Sequence, residues 1–183
     1  MATINIPTDK KVWFISGVST GLGRALAEAV LKKGAFLAGT VRDASTIPAI
    51  EDLAPGRAIG IRMDVTHVQE VEAAIQKTIE HFGQIDVLVN NSGHGMIGAI
   101  EEPSDAEVRA LFEVNVFGVL HVLRAALPHM RAQKRGMIIN MSSQGGVRSF
   151  PGSGHYCGSK HALEAFSESM AVELAPMGIK VLI

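Results

Sequence analysis

The chain is short of the groups that would place it in several large classes. Its one cysteine, Cys157, excludes an intrachain disulfide and leaves no second thiol for a metal cluster. No long basic run accompanies a formal net charge of −1, so nucleic acid is not an expected partner. No uninterrupted apolar run reaches the ~18 residues that a membrane span needs. The first residues, M-A-T-I-N-I-P-T-D-K-K, lack the apolar core of a signal peptide. Internal repeats and low-complexity segments are absent too. The expectation is a cytoplasmic protein with no metal, no nucleic acid and no membrane partner. What is present agrees with this: 183 residues, 47% hydrophobic and 19% charged, suit a single domain with a substantial core.

Apolar runs rich in β-formers alternate with stretches of helical spacing. Strands are expected at residues 11–16, 35–41, 57–63, 85–89, 136–141 and 179–183, and helices at 24–33, 44–53, 66–82, 104–131 and 155–175. Pro48 should interrupt the second helix. Thr66 with Gln69, and Ser104 with Glu107, have capping-box spacing. Gly34 and Gly83 stand where helices should stop. Such alternation predicts a three-layer α/β/α, doubly wound parallel sheet that ends after strand 6. The helix at 104–131 is apolar on more than one side, and Asn115 inside it needs a specific partner.

Gly17, Gly21 and Gly23 fall between the first strand and the first helix. Their G-x-x-x-G-x-G spacing differs from the common G-x-G-x-x-G, but the physics is shared. Glycines let the backbone turn tightly against a pyrophosphate, and a helix amino terminus offers free N–H groups and a positive dipole end. A plain glycine-rich turn is the bland alternative, and the strand–loop–helix context favours the dinucleotide. Where an NAD-binding fingerprint carries an acid on the ribose hydroxyls, this chain has Val41 followed by Arg42. Arginine's planar fork suits a 2′-phosphate, to which Ser19 and Thr20 could add hydroxyls. Asp43, next door, either repels that phosphate or points away. The cofactor expected is NADP(H), with NAD(H) possible.

A second constellation lies between Asn140 and Lys160. Tyr156 and Lys160 are four apart, one turn from each other on one helix face. A free phenol, with a pKa near ~10, exchanges protons poorly at neutral pH. A neighbouring ammonium favours the phenolate and brings it toward general acid/base work. Ser143 follows the strand at 136–141, at the sheet edge where ligands bind in open α/β folds. By itself such a Tyr–Lys pair is most often a surface pair, and its weight comes from the other motifs.

Together the motifs resemble the short-chain dehydrogenase/reductase family of Rossmann-fold oxidoreductases, over nearly the whole chain. The family's T-G-x-x-x-G-x-G stands here as Ser16-Gly17-Val18-Ser19-Thr20-Gly21-Leu22-Gly23, with serine keeping the leading hydroxyl. The acid after strand 3 matches Asp64, followed by Val65. N-N-A-G matches Asn90-Asn91-Ser92-Gly93, the helix asparagine matches Asn115, and Y-x-x-x-K matches Tyr156 and Lys160. The active-site serine matches Ser143 rather than Ser142, because the family places it thirteen residues before the tyrosine.

The resemblance implies hydride transfer between a nicotinamide cofactor and a carbonyl or secondary alcohol. Tyr156 would exchange the proton. Lys160 would assist it and hold the nicotinamide ribose, Ser143 would position the substrate oxygen, and Asn115 would hold a water. Cofactor contacts are implied for Gly17, Ser19, Thr20, Gly21, Leu22 and Gly23, for Arg42, Asp64 and Val65, for Asn91, Ser92 and Gly93, and for Tyr156 and Lys160. It also implies a homodimer or homotetramer built through the helices at 104–131 and 155–175.

The family's Pro-Gly turn, helical lid and seventh strand have no counterpart here. The expectation is therefore a piece of a longer protein, or a naturally short member. His94, Met96, Ile97, Val147, Phe150 and Pro151 are pocket candidates, mostly apolar, which suggests a hydrophobic substrate. Cys157 is expected to pack rather than react. The alternative is a non-catalytic nucleotide-binding module, or an inactive fragment of such an enzyme.

Overall fold

The computed structural model describes residues 6–183. Strands β1 (Val12–Ile15), β2 (Phe36–Val41), β3 (Ala58–Arg62), β4 (Val87–Asn90), β5 (Gly136–Asn140) and β6 (Ile179–Leu182) form one parallel sheet in the order β3-β2-β1-β4-β5-β6. Side chains alternate along each strand, so the sheet feeds two cores. Val12, Phe14, Leu88 and Ile138 point to one face. There they meet α3 (Val68–Phe82), α5 (Gly118–Gln133) and α7 (Gly154–Leu174). Ile15, Leu37, Val87 and Val89 point to the other face, against α1 (Gly21–Lys32) and α2 (Ile47–Glu51). The expected α/β/α layering is present. The strand order reverses between β1 and β4, so their carboxyl ends open a crevice.

Several local expectations change. Helix α1 starts at Gly21, so Gly21 and Gly23 belong to its first turn rather than to the loop before it. Pro48 does not interrupt a helix: after a 3₁₀ turn at Ala44–Thr46 it sits in the first turn of α2, where a missing N–H costs nothing. Thr66 and Gln69 form no capping box. Thr66 gives both its N–H and its hydroxyl to Asp64 Oδ1, at 2.9 and 2.8 Å, and α3 begins only at Val68. Ser104 and Glu107 do form theirs, opening α4 (Asp105–Phe112).

The helix expected at 104–131 is α4 and α5 joined by a π-helical turn, Glu113–Phe117, with Asn115 at its centre. This stretch, Asp105–Gln133, is long and apolar enough in composition to cross a membrane, although no uninterrupted apolar run in it is that long. Val119, Val122, Leu123, Ala126 and Met130 on it belong to the buried core, as in a core helix. A short helix, α6 (Gln144–Val147), was not expected.

Candidate functional site

A cleft of about 810 Å³ opens at the carboxyl ends of β1, β2, β3 and β4. Gly17, Ser19, Thr20, Gly21, Leu22 and Gly23 line it, with Arg42, Asp64, Val65, Asn91, Ser92 and Gly93. Twelve residues named from motifs thus share one wall system. Gly17 has φ 73°, a conformation that side-chain-bearing residues rarely adopt. A Cβ on Gly23 would collide with Gly17 O and Asn91 Nδ2. The α1 amino terminus therefore packs directly on the loop. Thr20 caps α1 with no side-chain bond, so the first N–H groups of the helix stay available to an anion.

The loop is held from both sides. Asn91 Nδ2 donates to Ser16 O and Gly17 O, both at 2.9 Å. Ser16 Oγ accepts from Asn91 N and Ser92 N at 3.0 Å. That double acceptance explains why serine can stand for the family's threonine: the hydroxyl is what the fold uses. Thr40, which sequence reasoning passed over, supplies the acceptor for Gly17 N and Val18 N at 3.0 Å, and lines the cleft. The acceptor is its main-chain carbonyl, so the residue type carried no signal of it.

The rim beyond β2 and β3 is charged. Arg42 is exposed and, among the described residues, has no salt-bridge partner. Asp43 Oδ1 accepts from Ser45 N at 2.9 Å, and that bond holds its carboxyl below the usual range. The carboxylate is committed to its own turn, although Asp43 still lines the cleft. Burial alone would raise Asp64. The hydrogen bonds from Thr66 and the charges of His67 and Arg42 outweigh it and keep the group ionised.

The catalytic candidates stand beside this cleft, at the start of α6, on α7 and in the π-helical turn. Lys160 is 7% exposed, and its Nζ donates to Met141 O at 2.7 Å. Burial lowers its proton affinity and the nearby Glu164 carboxylate opposes that shift. Tyr156 lies one turn earlier on α7, half-buried against Gly145. Ser143 caps α6, its Oγ accepting from Gly145 N at 3.2 Å, which leaves the hydroxyl proton free to donate. Asn115 is fully buried. Its Oδ1 accepts from His94 N at 3.0 Å, and its Nδ2 donates to His94 O at 2.9 Å and Ser159 Oγ at 3.1 Å. Ser159 in turn donates to Tyr156 O at 2.7 Å. Both Nδ2 hydrogens of Asn115 are thus taken up by protein, and its Oδ1 keeps one lone pair.

Of the pocket candidates only His94 lines the cleft. His94 is exposed at the cleft, Ile97 is 91% and Val147 80% exposed, Pro151 is exposed, and Met96 and Phe150 are half-buried. Gly98 N donates to Gly152 O at 2.8 Å and His155 Nε2 lies 3.0 Å from Ile100 O, so the loop after β4 is tied to the start of α7. Cys157 is buried beside Gly145, in packing.

Residues 11–183 match the family model described as short chain dehydrogenase. The chain belongs to that family. Among solved structures, this short-chain dehydrogenase resembles one from Streptomyces avermitilis with a TM-score of 0.93 and 42% identity, covering 97% of this chain and 65% of that one. It also resembles a short-chain dehydrogenase/reductase from Burkholderia phymatum, solved in complex with NAD, with a TM-score of 0.89 and 34% identity over 94% of this chain and 64% of that one. A 3-ketodihydrosphingosine reductase of Bacteroides thetaiotaomicron is 39% identical over 171 residues, which is 93% of this chain. The chain spans 61% of that relative's length.

Proposed function

We propose that this short-chain dehydrogenase transfers hydride reversibly between NADP(H) and a hydrophobic carbonyl compound or secondary alcohol. The observation that carries the reading is the meeting of two parts at one sheet edge: a glycine cradle that a Cβ would fill, and a buried Lys160 one turn from Tyr156 with Ser143 close to the end of β5. The cradle and the α1 amino terminus fit a pyrophosphate, and Asp64 fits an adenine amine. Arg42, with its charge unpaired and Asp43 committed to Ser45, fits a 2′-phosphate. NAD(H) is the second reading, favoured by the NAD-bound neighbour and by Asp43 on the same cleft.

When bound, the nicotinamide supplies or accepts the hydride. The protein does the rest. Ser143 donates to the substrate oxygen and shares its developing charge. Tyr156 gives or takes the proton on that oxygen. Lys160 keeps two donors after Met141 O, one of them for the nicotinamide ribose. Asn115 holds His94 and, through Ser159, the turn of α7 that carries Tyr156. The exposed apolar side chains of Ile97, after β4, and Val147, on α6, support a hydrophobic substrate. The relative named for a ketone, 3-ketodihydrosphingosine, makes ketones the first class to screen.

Tyr156→Phe tests the mechanism. NADPH binding, read by fluorescence titration, should stay within about twofold of the unmutated protein, and kcat should fall by about 10²–10⁴. Undiminished turnover in this variant would sink the mechanism. Assembly as a homodimer or homotetramer through α4–α5 and α7 belongs to the same reading. Phe117, Phe166 and Val172 on these elements are 45%, 40% and 77% exposed, which supports it. A strict monomer in light scattering at micromolar concentration would contradict it.

A further inference from the structure

We propose that His121 is a positioning residue for the adenine end of the cofactor and acts through Asp64; this rests on the dinucleotide reading above. His121 is half-buried on α5, and its Nδ1 stands 3.0 Å from Val65 O. A carbonyl oxygen only accepts, so Nδ1 carries the proton and the ring donates. The peptide that owns this carbonyl has its N–H on Thr66, and that N–H donates to Asp64 Oδ1 at 2.9 Å. One peptide plane therefore links the imidazole to the carboxylate. Bonds in such a chain polarise and orient one another. Thr66 Oγ1 adds a second donor to Oδ1 at 2.8 Å, and Oδ2 carries no protein bond among the described residues. Asp64 N is held as well, by Glu70 Oε2 at 2.8 Å.

Helix α5 touches the same loop at a second point. A Cβ on Gly118, one turn before His121, would stand 2.6 Å from Val65 Cγ2, so the helix lies directly on the loop. The rim that should face the adenine is thus registered on a core helix rather than left to a mobile turn. The chemical consequence is selectivity. An oriented, ionised oxygen accepts from an exocyclic amine and repels a carbonyl in its place. Hypoxanthine carries that carbonyl where adenine carries the amine. A site built to take a hydrogen bond rejects the partner that cannot make it.

The test is a fluorescence titration of the unmutated protein, His121→Phe and His121→Asn with NADPH and with its hypoxanthine analogue. The unmutated protein should prefer the adenine form by about tenfold or more, as loss of a charge-assisted hydrogen bond implies. His121→Phe keeps a ring but loses the donor, and that preference should shrink to about twofold. His121→Asn returns an N–H at the same depth and should restore most of it. A purely structural role would weaken both ligands alike and leave their ratio unchanged, which would overturn the proposal, as would an unmutated protein that binds both forms equally. If the unmutated protein binds neither, the dinucleotide reading itself fails and takes this inference with it.

Discussion

The two halves of the sheet hold their functional groups in different ways. Around β1, β2 and β3 the site is made of backbone: glycines at close approach, free N–H groups at α1, the Thr40 main-chain carbonyl, and an Asn91 side chain that binds main-chain atoms. Around β4 and β5 it is made of side chains braced by other buried side chains. Asn90 Nδ2 donates to Asn140 Oδ1 across paired strands at 2.8 Å, Asn140 Nδ2 donates to Ser167 Oγ at 2.8 Å, and Ser167 donates to Leu163 O at 2.7 Å. With Lys160–Met141, these bonds fasten α7 to β5 and to the residue after it, and Asn115–Ser159 fastens it to the π-helical turn. A flexible, repeated ligand part such as a pyrophosphate needs donors at a close backbone. A proton transfer needs one side chain held in one place, and buried hydrogen-bonded networks do that in a low-dielectric interior, although Asn90 Oδ1 has no partner among the described residues.

The comparison breaks most sharply at Gly23. Gly23→Ala places a methyl group against Gly17 O and Asn91 Nδ2, so the cradle must open. NADPH affinity should fall at least about a hundredfold, and overpacking should remove about 1–3 kcal/mol of stability. Titration and thermal melting check both. Arg42→Ala acts on the same half more selectively. It should weaken NADPH about ten- to a hundredfold and leave NADH nearly unchanged, since a charge-assisted contact is worth about 1.5–3 kcal/mol. Equal losses for both ligands would show that Arg42 is only a loop charge.

The other half should answer in stability rather than in cofactor affinity. Ser167→Ala leaves Asn140 Nδ2 buried without its acceptor, at a cost of about 1–3 kcal/mol in urea unfolding. NADPH binding should stay within about twofold, and a loss of cofactor affinity as large as that in Arg42→Ala would erase the distinction between the halves.

The smallest effect is in acid. Asp64 has its folded pKa below the ordinary 3.8, because bonds from Thr66 and nearby positive charge outweigh burial. A depressed carboxylate stabilises the fold above its unfolded pKa and loses that contribution as pH falls through the folded value. Unfolding curves of the unmutated protein and Asp64→Asn should therefore differ at pH 6 and converge in acid below 3.8. A gap that widens in acid would contradict the sign.

What could be read from the sequence follows the same division. Backbone-built function needs glycine at fixed places, and Gly17, Gly21 and Gly23 announced the cradle. Tyr156 and Lys160 marked the proposed proton-transfer face through helical spacing and reactive groups. Their supports were silent. Asn140 and Ser167 read as ordinary strand and helix residues, because nothing local says that they meet. The π-helical turn at Asn115 depends on bonds to His94 and Ser159, which are distant in sequence. Helix α6 was too short to show a period. Its Gly145 and Gly146 are buried under Cys157 and Ser142, and this needed the fold to be seen. The Thr66–Gln69 pattern misled because a nearer acceptor, Asp64, takes both donors of Thr66.

The central claim is that the cradle holds a nicotinamide dinucleotide by its pyrophosphate, and that its hydride reaches a carbonyl beside Ser143 and Tyr156. NADPH carrying deuterium on one face of the nicotinamide C4, incubated with the protein and a panel of hydrophobic ketones, tests this directly by mass spectrometry of the alcohol. The account predicts deuterium on the carbinol carbon from one of the two labelled faces and none from deuterated water. Alcohol without the label, or labelled equally from both faces, would contradict it.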